Sequence, residues 1–225
     1  MTRIVWIGLF MFSVSVGAGQ DLQKSIRAGG GASYSMFKVI TGRQDGGDGE
    51  TYSGGAKAFD LFLWVNGEVD ARTRIGTEVK YSWKAFDYSS ADQAPGGSLY
   101  KDYACTVGYL DVTIFPAFRI SRKPVMFIDP GICLGTLLHS YGSGESHGWS
   151  IAGGEVSNPI DGPVRDDFSQ FNFRLAFRYE IEIPLSGKSY LFVLNRYEYT
   201  VSHPHFFTIS LGLGMGRIFR VNGHE

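Results

Sequence analysis

The segment from Ser169 to Pro184, SQFNFRLAFRYEIEIP, most constrains what this chain can fold into. Its odd-numbered positions from Phe171 to Ile183 are all aliphatic or aromatic, and its even-numbered positions are polar or charged apart from Ala176. Because successive side chains of a β-strand point to opposite faces of a sheet, this segment presents one apolar face and one charged face. The recurrence of the pattern along the chain therefore decides the fold.

Seven further segments carry the same two-residue alternation, so the sequence predicts eight strands. In chain order the strands cover residues 24–38, 57–66, 72–86, 102–120, 125–139, 169–184, 191–201 and 207–219. Polar stretches rich in glycine at 41–55, 87–101 and 140–167 predict three long loops, and short turns join most of the other strands. Beyond the first twenty residues, no stretch has the 3.6-residue period of an amphipathic helix.

The N-terminus has the pattern of a secretory signal peptide. Arg3 precedes an apolar run over residues 4–16, and small residues follow over 17–19. An uncleaved anchor helix is the alternative, but the run is shorter than the roughly 18 residues of a membrane-spanning helix. We therefore predict a cleaved signal peptide over residues 1–19 and a single exported barrel domain over residues 20–225, a length that fits one domain.

The two cysteines are predicted to remain free thiols, although an exported protein can form disulfides. If the turn near Arg122 joins the fourth and fifth strands, Cys105 lies opposite a residue near 140 and Cys133 opposite one near 112. That offset of about seven residues corresponds to roughly 23 Å along a strand, which is beyond the reach of a disulfide.

The polar faces of the strands are rich in charge. Fourteen charged residues, seven of each sign, form what we call the lumen charge network: Arg27, Asp60, Arg74, Glu78, Lys80, Asp111, Arg119, Asp129, Arg174, Arg178, Glu180, Glu182, Arg196 and Glu198. This balance fits a closed interior, where each ion needs a partner to offset the cost of leaving water. The apolar faces would then contact lipid, with Trp83, Tyr197 and Tyr199 as aromatic residues near the membrane interface.

These features predict an all-β fold, namely a closed, antiparallel, up-and-down transmembrane β-barrel of eight strands. Closure leaves no unpaired strand edge in the hydrocarbon, and an even strand number with alternating long and short connections is typical of bacterial outer-membrane barrels. Because side chains fill the interior of so small a barrel, we expect no solute pore. Inward glycines at 29, 31, 212, 214 and 216 are predicted to leave room for long or aromatic side chains near the closing seam.

The chain resembles the small eight-stranded outer-membrane β-barrel protein family of Gram-negative bacteria over nearly all of its mature length. The most specific part is the last strand, FFTISLGLGMGRIF, with Gly212, Gly214, Gly216 and Phe219. In that family such a strand is the signal that the barrel-assembly machinery reads. The resemblance therefore implies an outer-membrane location, with membrane lipid and this machinery as partners, although the chain continues beyond Phe219, where many relatives stop. The family shares architecture more than activity.

No residue group predicts catalysis, a cofactor or a metal site. His139 and Ser140 invite comparison with the histidine and serine of barrel-embedded lipid A deacylases, but here they are adjacent, so they point to opposite faces of a strand. Asp45, Asp48 and Glu50 could offer oxygen ligands to calcium, yet their spacing does not complete the twelve-residue calcium loop. Three histidines in predicted external loops also lack the spacing of metal ligands: His147, His203 and His205.

We therefore expect a non-enzymatic outer-membrane barrel that acts as a membrane anchor or, through its long loops, as an interaction protein. A barrel subunit of an envelope machine for protein secretion or gliding is one alternative, and a lipid A-modifying barrel enzyme is another. The charged residues of the lumen could form a proton or ligand path, although a structural ion-pair network fits the narrow interior better. The net charge of −1 gives no indication of a nucleic-acid partner.

Overall fold

A computed structural model describes residues 25–39, 49–94, 96–185, 187–202 and 205–220. Its nine strands are β1 (Ser25–Val39), β2 (Gly49–Glu68), β3 (Thr73–Ala94), β4 (Gly97–Arg122), β5 (Val125–Ser150), β6 (Gly154–Gly162), β7 (Phe171–Pro184), β8 (Ser189–Thr200) and β9 (Phe206–Arg220). One turn of 3-10 helix, Arg165–Asp167, precedes β7. In the part of the chain that is described, no helix is long and apolar enough to cross a membrane. The predicted signal peptide lies outside the described residues.

Eight of these strands close into an antiparallel barrel, in which β5 pairs with both β4 and β7, and β1 closes the ring on β9. A row of paired residues starts at Ile128 on β5, crosses each of the seven remaining strands of the ring once, and returns to β5 at His139. This stagger, from residue 128 to residue 139, tilts the strands as the closure of a small barrel requires. The predicted closed, up-and-down barrel of eight strands is confirmed.

The strands of the barrel turn their apolar positions outward and their charged positions inward. On β7, Phe171 is 73% exposed and Leu175 is 51% exposed, whereas Arg174 and Arg178 are buried inside the barrel. Leu213 on β9 is 66% exposed on the same outer surface. A soluble protein rarely exposes so continuous an apolar surface, but this surface is the one that a barrel presents to hydrocarbon.

Two of the predicted long loops are wrong, because residues 87–94, 97–101 and most of 140–167 are β-structure. β3 continues to Ala94 and β4 begins at Gly97, while β5 continues to Ser150 and pairs there with β6. We call residues 85–94, 97–107, 139–150 and 154–162 the extracellular sheet, because the longer connections of outer-membrane barrels lie on that side. The third predicted loop, 41–55, lies partly outside the described residues, and its end from Gly49 belongs to β2.

Aromatic side chains fill the extracellular half of the interior. A buried cluster there includes Phe37, Phe86, Tyr88, Tyr103, Phe168 and Phe206. Phe168 comes from the segment between β6 and β7, which turns inward across the mouth of the barrel. That segment is held by Asp167, which accepts hydrogen bonds from Lys101 Nζ and Tyr103 Oη at 2.7 Å each. The mouth is therefore closed by packed rings and an anchored crossing segment.

Glycines of β9 make room for aromatic side chains of β8, as the sequence predicts. A Cβ atom on Gly216 would lie 2.5 Å from Cζ of Tyr190, and one on Gly214 would overlap the ring of Phe192. Tyr190 and Phe192 are both buried in the lumen beside Trp64. Close packing of rings against bare backbone thus fills the barrel at the seam between its first and last strands.

Cys105 and Cys133 are free and buried, as predicted. Cys105 lies opposite Gly142 and Cys133 lies opposite Thr113, so the two thiols sit at different heights of the β4–β5 ladder. Burial raises the pKa of the Cys105 thiol, on the extracellular sheet, to about 12. This thiol is therefore protonated at neutral pH and poorly reactive.

Replacing Gly216 with Ala should destabilise the folded barrel by about 1–3 kcal/mol, because the new methyl group overlaps Tyr190. In a Tyr190→Ala background the same substitution should cost much less, which a double-mutant cycle of urea unfolding in detergent micelles would measure. Gly153→Ala is the matched control, because a Cβ there meets nothing within 4 Å. Equal costs in both backgrounds would contradict this packing.

Asp70 should make the β2–β3 turn sensitive to acid. Its Oδ1 accepts the backbone N–H groups of Arg72 at 2.6 Å and Thr73 at 2.8 Å, and these hydrogen bonds lower the pKa of the carboxyl. A lowered pKa means that the stabilisation is present above about pH 4 and is lost as the pH falls through the lowered value. Exchange protection of the Arg72 and Thr73 amides should fall over that interval, and Asp70→Asn should remove this step.

Candidate functional site

Ion pairs fill the middle of the lumen and link strands from opposite sides of the barrel. Arg196 Nη2 on β8 lies 2.6 Å from each carboxylate oxygen of Glu78 on β3. Arg178 on β7 donates to Glu78 Oε2 at 3.0 Å and to Asp129 Oδ2 at 2.6 Å, and it lies 3.6 Å from Glu180 Oε2. Since these charges are buried, removing one partner would leave another ion unpaired in a dry interior.

A second group of ion pairs lies nearer the extracellular side. Arg174 Nη1 donates to Asp111 Oδ2 at 2.6 Å and lies 3.6 Å from Glu198 Oε2. Lys80 Nζ contacts Glu198 and lies 3.6 Å from Asp111 Oδ2. Two bases and two carboxylates from β3, β4, β7 and β8 thus form a ring of contacts, and Arg196 Nε, 3.8 Å from Glu198 Oε1, joins this ring to the central group.

A third group lies at the periplasmic end. Glu182 accepts hydrogen bonds from Arg27 Nη1 at 2.9 Å and from Arg74 Nη1 at 2.7 Å. Arg27 Nη2 also donates to Glu68 Oε1 at 3.1 Å, and Glu68 is a partner that the sequence analysis missed. Strands β1, β2, β3 and β7 are tied together at this end.

Aromatic rings support several of the buried guanidinium groups. Cζ of Arg74 lies 3.6 Å from the ring centre of Phe127, and Cζ of Arg178 lies 4.1 Å from that of Phe115. A cation over a ring face gains electrostatic attraction that grows when water is excluded. Sequence parity places both rings on the inward face, but it does not show which cation each ring would meet.

Asp60 differs from the other carboxylates of the network because serine hydroxyl groups satisfy it. It accepts hydrogen bonds from Ser33 Oγ at 2.8 Å and Ser35 Oγ at 3.0 Å, and Ser82 Oγ donates to its other oxygen. Short polar side chains at inward positions of β1 and β3 are the signal that would have identified these partners.

One member of the predicted lumen charge network is misplaced. Arg119 is partly exposed at the periplasmic end, where its guanidinium donates to the carbonyl oxygen of Ala71. Lys84, which is not among the fourteen predicted members, is 1% exposed inside the barrel. Exchanging Arg119 for Lys84 leaves the lumen with seven bases and the same seven acids. The number of bases stays the same because one base replaces another. Both residues occupy inward-facing positions of their strands, but Arg119 lies at the end of the barrel and Lys84 lies inside it.

His139 and Ser140 lie on opposite faces of β5. The His139 ring is exposed on the outer surface and stacks against Tyr81 with centres 6.3 Å apart, whereas Ser140 is buried in the interior. Across the described residues, no three His, Cys, Asp or Glu side chains are placed to hold a metal ion. Two of the three possible calcium ligands, Asp45 and Asp48, lie outside the described part of the chain, as does His203.

The outward face of the extracellular sheet is acidic and aromatic. Five exposed carboxylates share it: Asp87, Asp102, Glu145, Glu155 and Asp161. Three exposed aromatic residues lie among them: Tyr100, Tyr141 and Trp149. Asp102 lies directly opposite Glu145 in the β4–β5 ladder, a like-charge arrangement that destabilises a sheet. Among the described residues of this face there is no lysine or arginine, and the basic side chain that contacts the pair is His147, whose Nε2 lies 3.2 Å from Glu145 Oε2.

Arg178→Met should destabilise the barrel by about 3–5 kcal/mol, because it leaves Asp129 without a buried counter-ion and removes one of the two arginines that pair with Glu78. Arg119→Met is the matched control and should change the free energy of unfolding by at most about 0.5 kcal/mol. Unfolding in urea, followed by the change in electrophoretic mobility of the unboiled protein, measures both. Similar costs for the two variants would contradict the network.

No protein-family model matches the chain, and no curated protein is significantly similar to it. Solved structures that resemble it include the attachment invasion locus protein Ail of Yersinia pestis, with 15% identity, coverage of 88% of this chain and 100% of that chain, and a TM-score of 0.44. Neisserial surface protein A shows 12% identity, 88% and 98% coverage and a TM-score of 0.46. The outer membrane protein AlkL shows 10% identity, 93% and 96% coverage and a TM-score of 0.41. The closed ring of eight hydrogen-bonded strands gives this chain the architecture of a small eight-stranded outer-membrane β-barrel.

Proposed function

We propose that this protein is a non-enzymatic outer-membrane barrel that anchors the extracellular sheet and presents its outward face to a cationic protein partner. The observation that carries the proposal is the pair of facing carboxylates, Asp102 and Glu145, within an exposed acidic and aromatic surface. A sheet that continues from the barrel wall holds these groups in fixed positions. A surface of this kind favours partners of opposite charge and accelerates their encounter.

The outer surface of the barrel supports the membrane location. The side chains of Leu63, on β2, and of Leu211 and Leu213, on β9, are each more than half exposed. Contact of these side chains with water would be unfavourable, whereas contact with hydrocarbon is not. Closure of the ladder satisfies the backbone hydrogen bonds that lipid cannot satisfy. We propose that the barrel-assembly machinery inserts the chain, with the last strand as its signal.

The filled lumen supports an anchoring role over a transport role. Arg174, Lys80 and Asp111 are at most 1% exposed, and packed rings close the extracellular half above them. A solute would have to separate several buried ion pairs to cross this interior. The placement of His139 and Ser140 on opposite faces likewise supports a non-enzymatic role, because the two side chains cannot act on one substrate atom.

The chemistry of the outward face fits a partner with exposed arginine or lysine residues. Guanidinium groups form strong, charge-assisted hydrogen bonds to carboxylates, and they stack on rings such as Tyr100 and Trp149. A bound cation between Asp102 and Glu145 would also remove the repulsion between them. We infer that binding is salt-dependent, because these charges are exposed.

A labelled arginine-rich peptide should bind the folded protein in uncharged detergent, as measured by fluorescence anisotropy. The double variant Asp102→Asn, Glu145→Gln should bind it about tenfold more weakly, because two charge-assisted contacts are lost. Asp70→Asn, which removes one carboxylate at the opposite end of the barrel, should leave the affinity unchanged. Equal affinities for all three proteins would contradict the proposed surface.

Spin labels test the membrane location separately. A nitroxide at Leu213 should collide with oxygen, which concentrates in hydrocarbon, whereas one at Tyr100 should collide with a water-soluble nickel complex. Both sites are more than 40% exposed, so the labels should not disturb the fold. A water-accessible label at Leu213 in lipid vesicles would contradict the membrane-spanning arrangement.

A further inference from the structure

The outer wall of the barrel contains a groove between β7 and β8. Its volume is about 420 Å³, and it is lined by three pairs of residues that face each other in the ladder: Phe177 and Tyr197, Tyr179 and Asn195, and Ile181 and Val193. The Tyr179 hydroxyl donates to Met126 Sδ on β5 at 3.5 Å, so the Tyr179 ring leans away from β8. The space beside the Asn195 side chain is therefore open.

Asn195 is a polar residue in the middle of an apolar surface. Its nearest neighbours on the outer wall are Tyr179 on β7, Leu211 on β9, and Val193 and Tyr197 on its own strand. β8 starts at its periplasmic end, and Asn195 is its seventh residue, so it lies roughly 20 Å along a tilted strand. That distance places the amide near the middle of an apolar band about 25 Å tall.

The amide of Asn195 is not satisfied within its own chain. Its Oδ1 has no hydrogen-bond partner among the described residues. Thr77, another outward polar residue, shows how the wall itself can satisfy such a group, because its hydroxyl donates to the carbonyl oxygen of Thr113 at 3.2 Å. Lipid chains offer no hydrogen bond at this depth and water is excluded, so an unpaired amide there is costly. A partner from a second molecule would remove this cost.

We propose that the wall formed by β7, β8 and β9 is the interface of a symmetric dimer, in which Asn195 pairs with the same residue of a second copy. A carboxamide is both donor and acceptor, so two identical groups can exchange two hydrogen bonds and leave no other polar group to satisfy. Rotation about the Cβ–Cγ bond, which is a soft torsion, turns Oδ1 toward the partner. Two copies inserted in the same direction share a two-fold axis along the membrane normal, and this axis brings Asn195 to itself at equal depth.

The shape of the wall is self-complementary about Asn195. The groove lies on its β7 side, whereas Leu211, which is 61% exposed, protrudes on its β9 side. A two-fold axis at Asn195 sets the β9 side of one copy against the β7 side of the other. Each groove then receives the protruding β9 surface of the second copy. A lipid chain could fill the groove, but it would leave the amide unpaired.

Sedimentation equilibrium in uncharged, density-matched detergent should show a reversible dimer of the wild-type protein. Asn195→Leu should weaken dimerisation about tenfold, because two hydrogen bonds in an apolar medium are lost, and Asn195→Gln, which keeps the carboxamide, should retain most of it. Thr77→Val is the matched control and should leave the dimerisation constant unchanged, because the hydroxyl that it removes is already bonded within the chain.

Two results of this experiment would overturn the proposal. One is equal dimerisation of the wild type and Asn195→Leu, which would place the contact elsewhere. The other is a monomeric wild type, and native mass spectrometry that finds a lipid retained on that monomer would replace the dimer with a lipid site.

Val193→Trp tests the shape of the groove without removing the amide. The larger ring fills the groove that should receive the second copy, so the variant should dimerise more weakly than the wild type. Unchanged electrophoretic mobility of the unboiled variant would show that its barrel is folded. A folded Val193→Trp variant that dimerises as well as the wild type would contradict the proposed packing.

Cross-linking in lipid vesicles locates the interface. Tyr197→Cys lies two residues from the proposed axis and should cross-link to itself with a short bis-maleimide. Val79→Cys is the control, because β3 lies on the opposite wall, four strands from β8 in either direction. The native thiols are buried and should not interfere. Equal cross-linking of the two variants would indicate random collision and would refute the interface.

The dimer and the proposed partner surface can fail independently. Asn195 lies in the membrane-spanning wall, whereas Asp102 and Glu145 lie on the extracellular sheet, so Asn195→Leu should bind the arginine-rich peptide as the wild type does. Loss of dimerisation with intact peptide binding is the expected behaviour of this variant.

Discussion

Charge pairing inside a closed backbone ladder is the constraint on which this structure depends. Lipid can satisfy neither a backbone N–H group nor an ion, so the eight strands close on one another and the charges turn inward. Once inside, each charge needs a partner, which Arg196 finds across the lumen in Glu78 and Arg174 finds two strands away in Asp111. These contacts join strands that are not neighbours in the ladder, and they make the lumen a solid interior.

The kind of side chain that fills the lumen changes along the barrel axis. Ion pairs occupy the periplasmic and central parts, rings occupy the extracellular half, and glycines at the β1–β9 seam admit rings that would otherwise not fit. With the lumen closed, the features that remain for interaction lie outside it. The extracellular sheet carries them, because β3, β4 and β5 extend well beyond the apolar surface.

Two places depart from the rules that the rest of the barrel follows. On the outward face, Asp102 lies opposite Glu145 where opposite charges would be favourable. In the upper lumen, Lys84 makes no ion pair with a described residue, whereas each of the other inward bases contacts a carboxylate. Departures of this kind cost stability, and proteins retain them mainly where a ligand or partner offsets the cost. The first departure calls for a bound cation outside the barrel.

The sequence by itself determined the strands, their inward and outward faces, and the balance of charge in the lumen, because side-chain alternation is a local property that a lipid-facing barrel makes unusually sharp. It did not determine the extracellular sheet, since both faces of residues 87–101 and 140–167 are rich in small and polar residues and show no period. The sequence pattern also assigned Arg119, instead of Lys84, to the lumen charge network. Parity assigns a side chain to a face, but only the stagger of the closed ladder decides the height at which that side chain meets its partners.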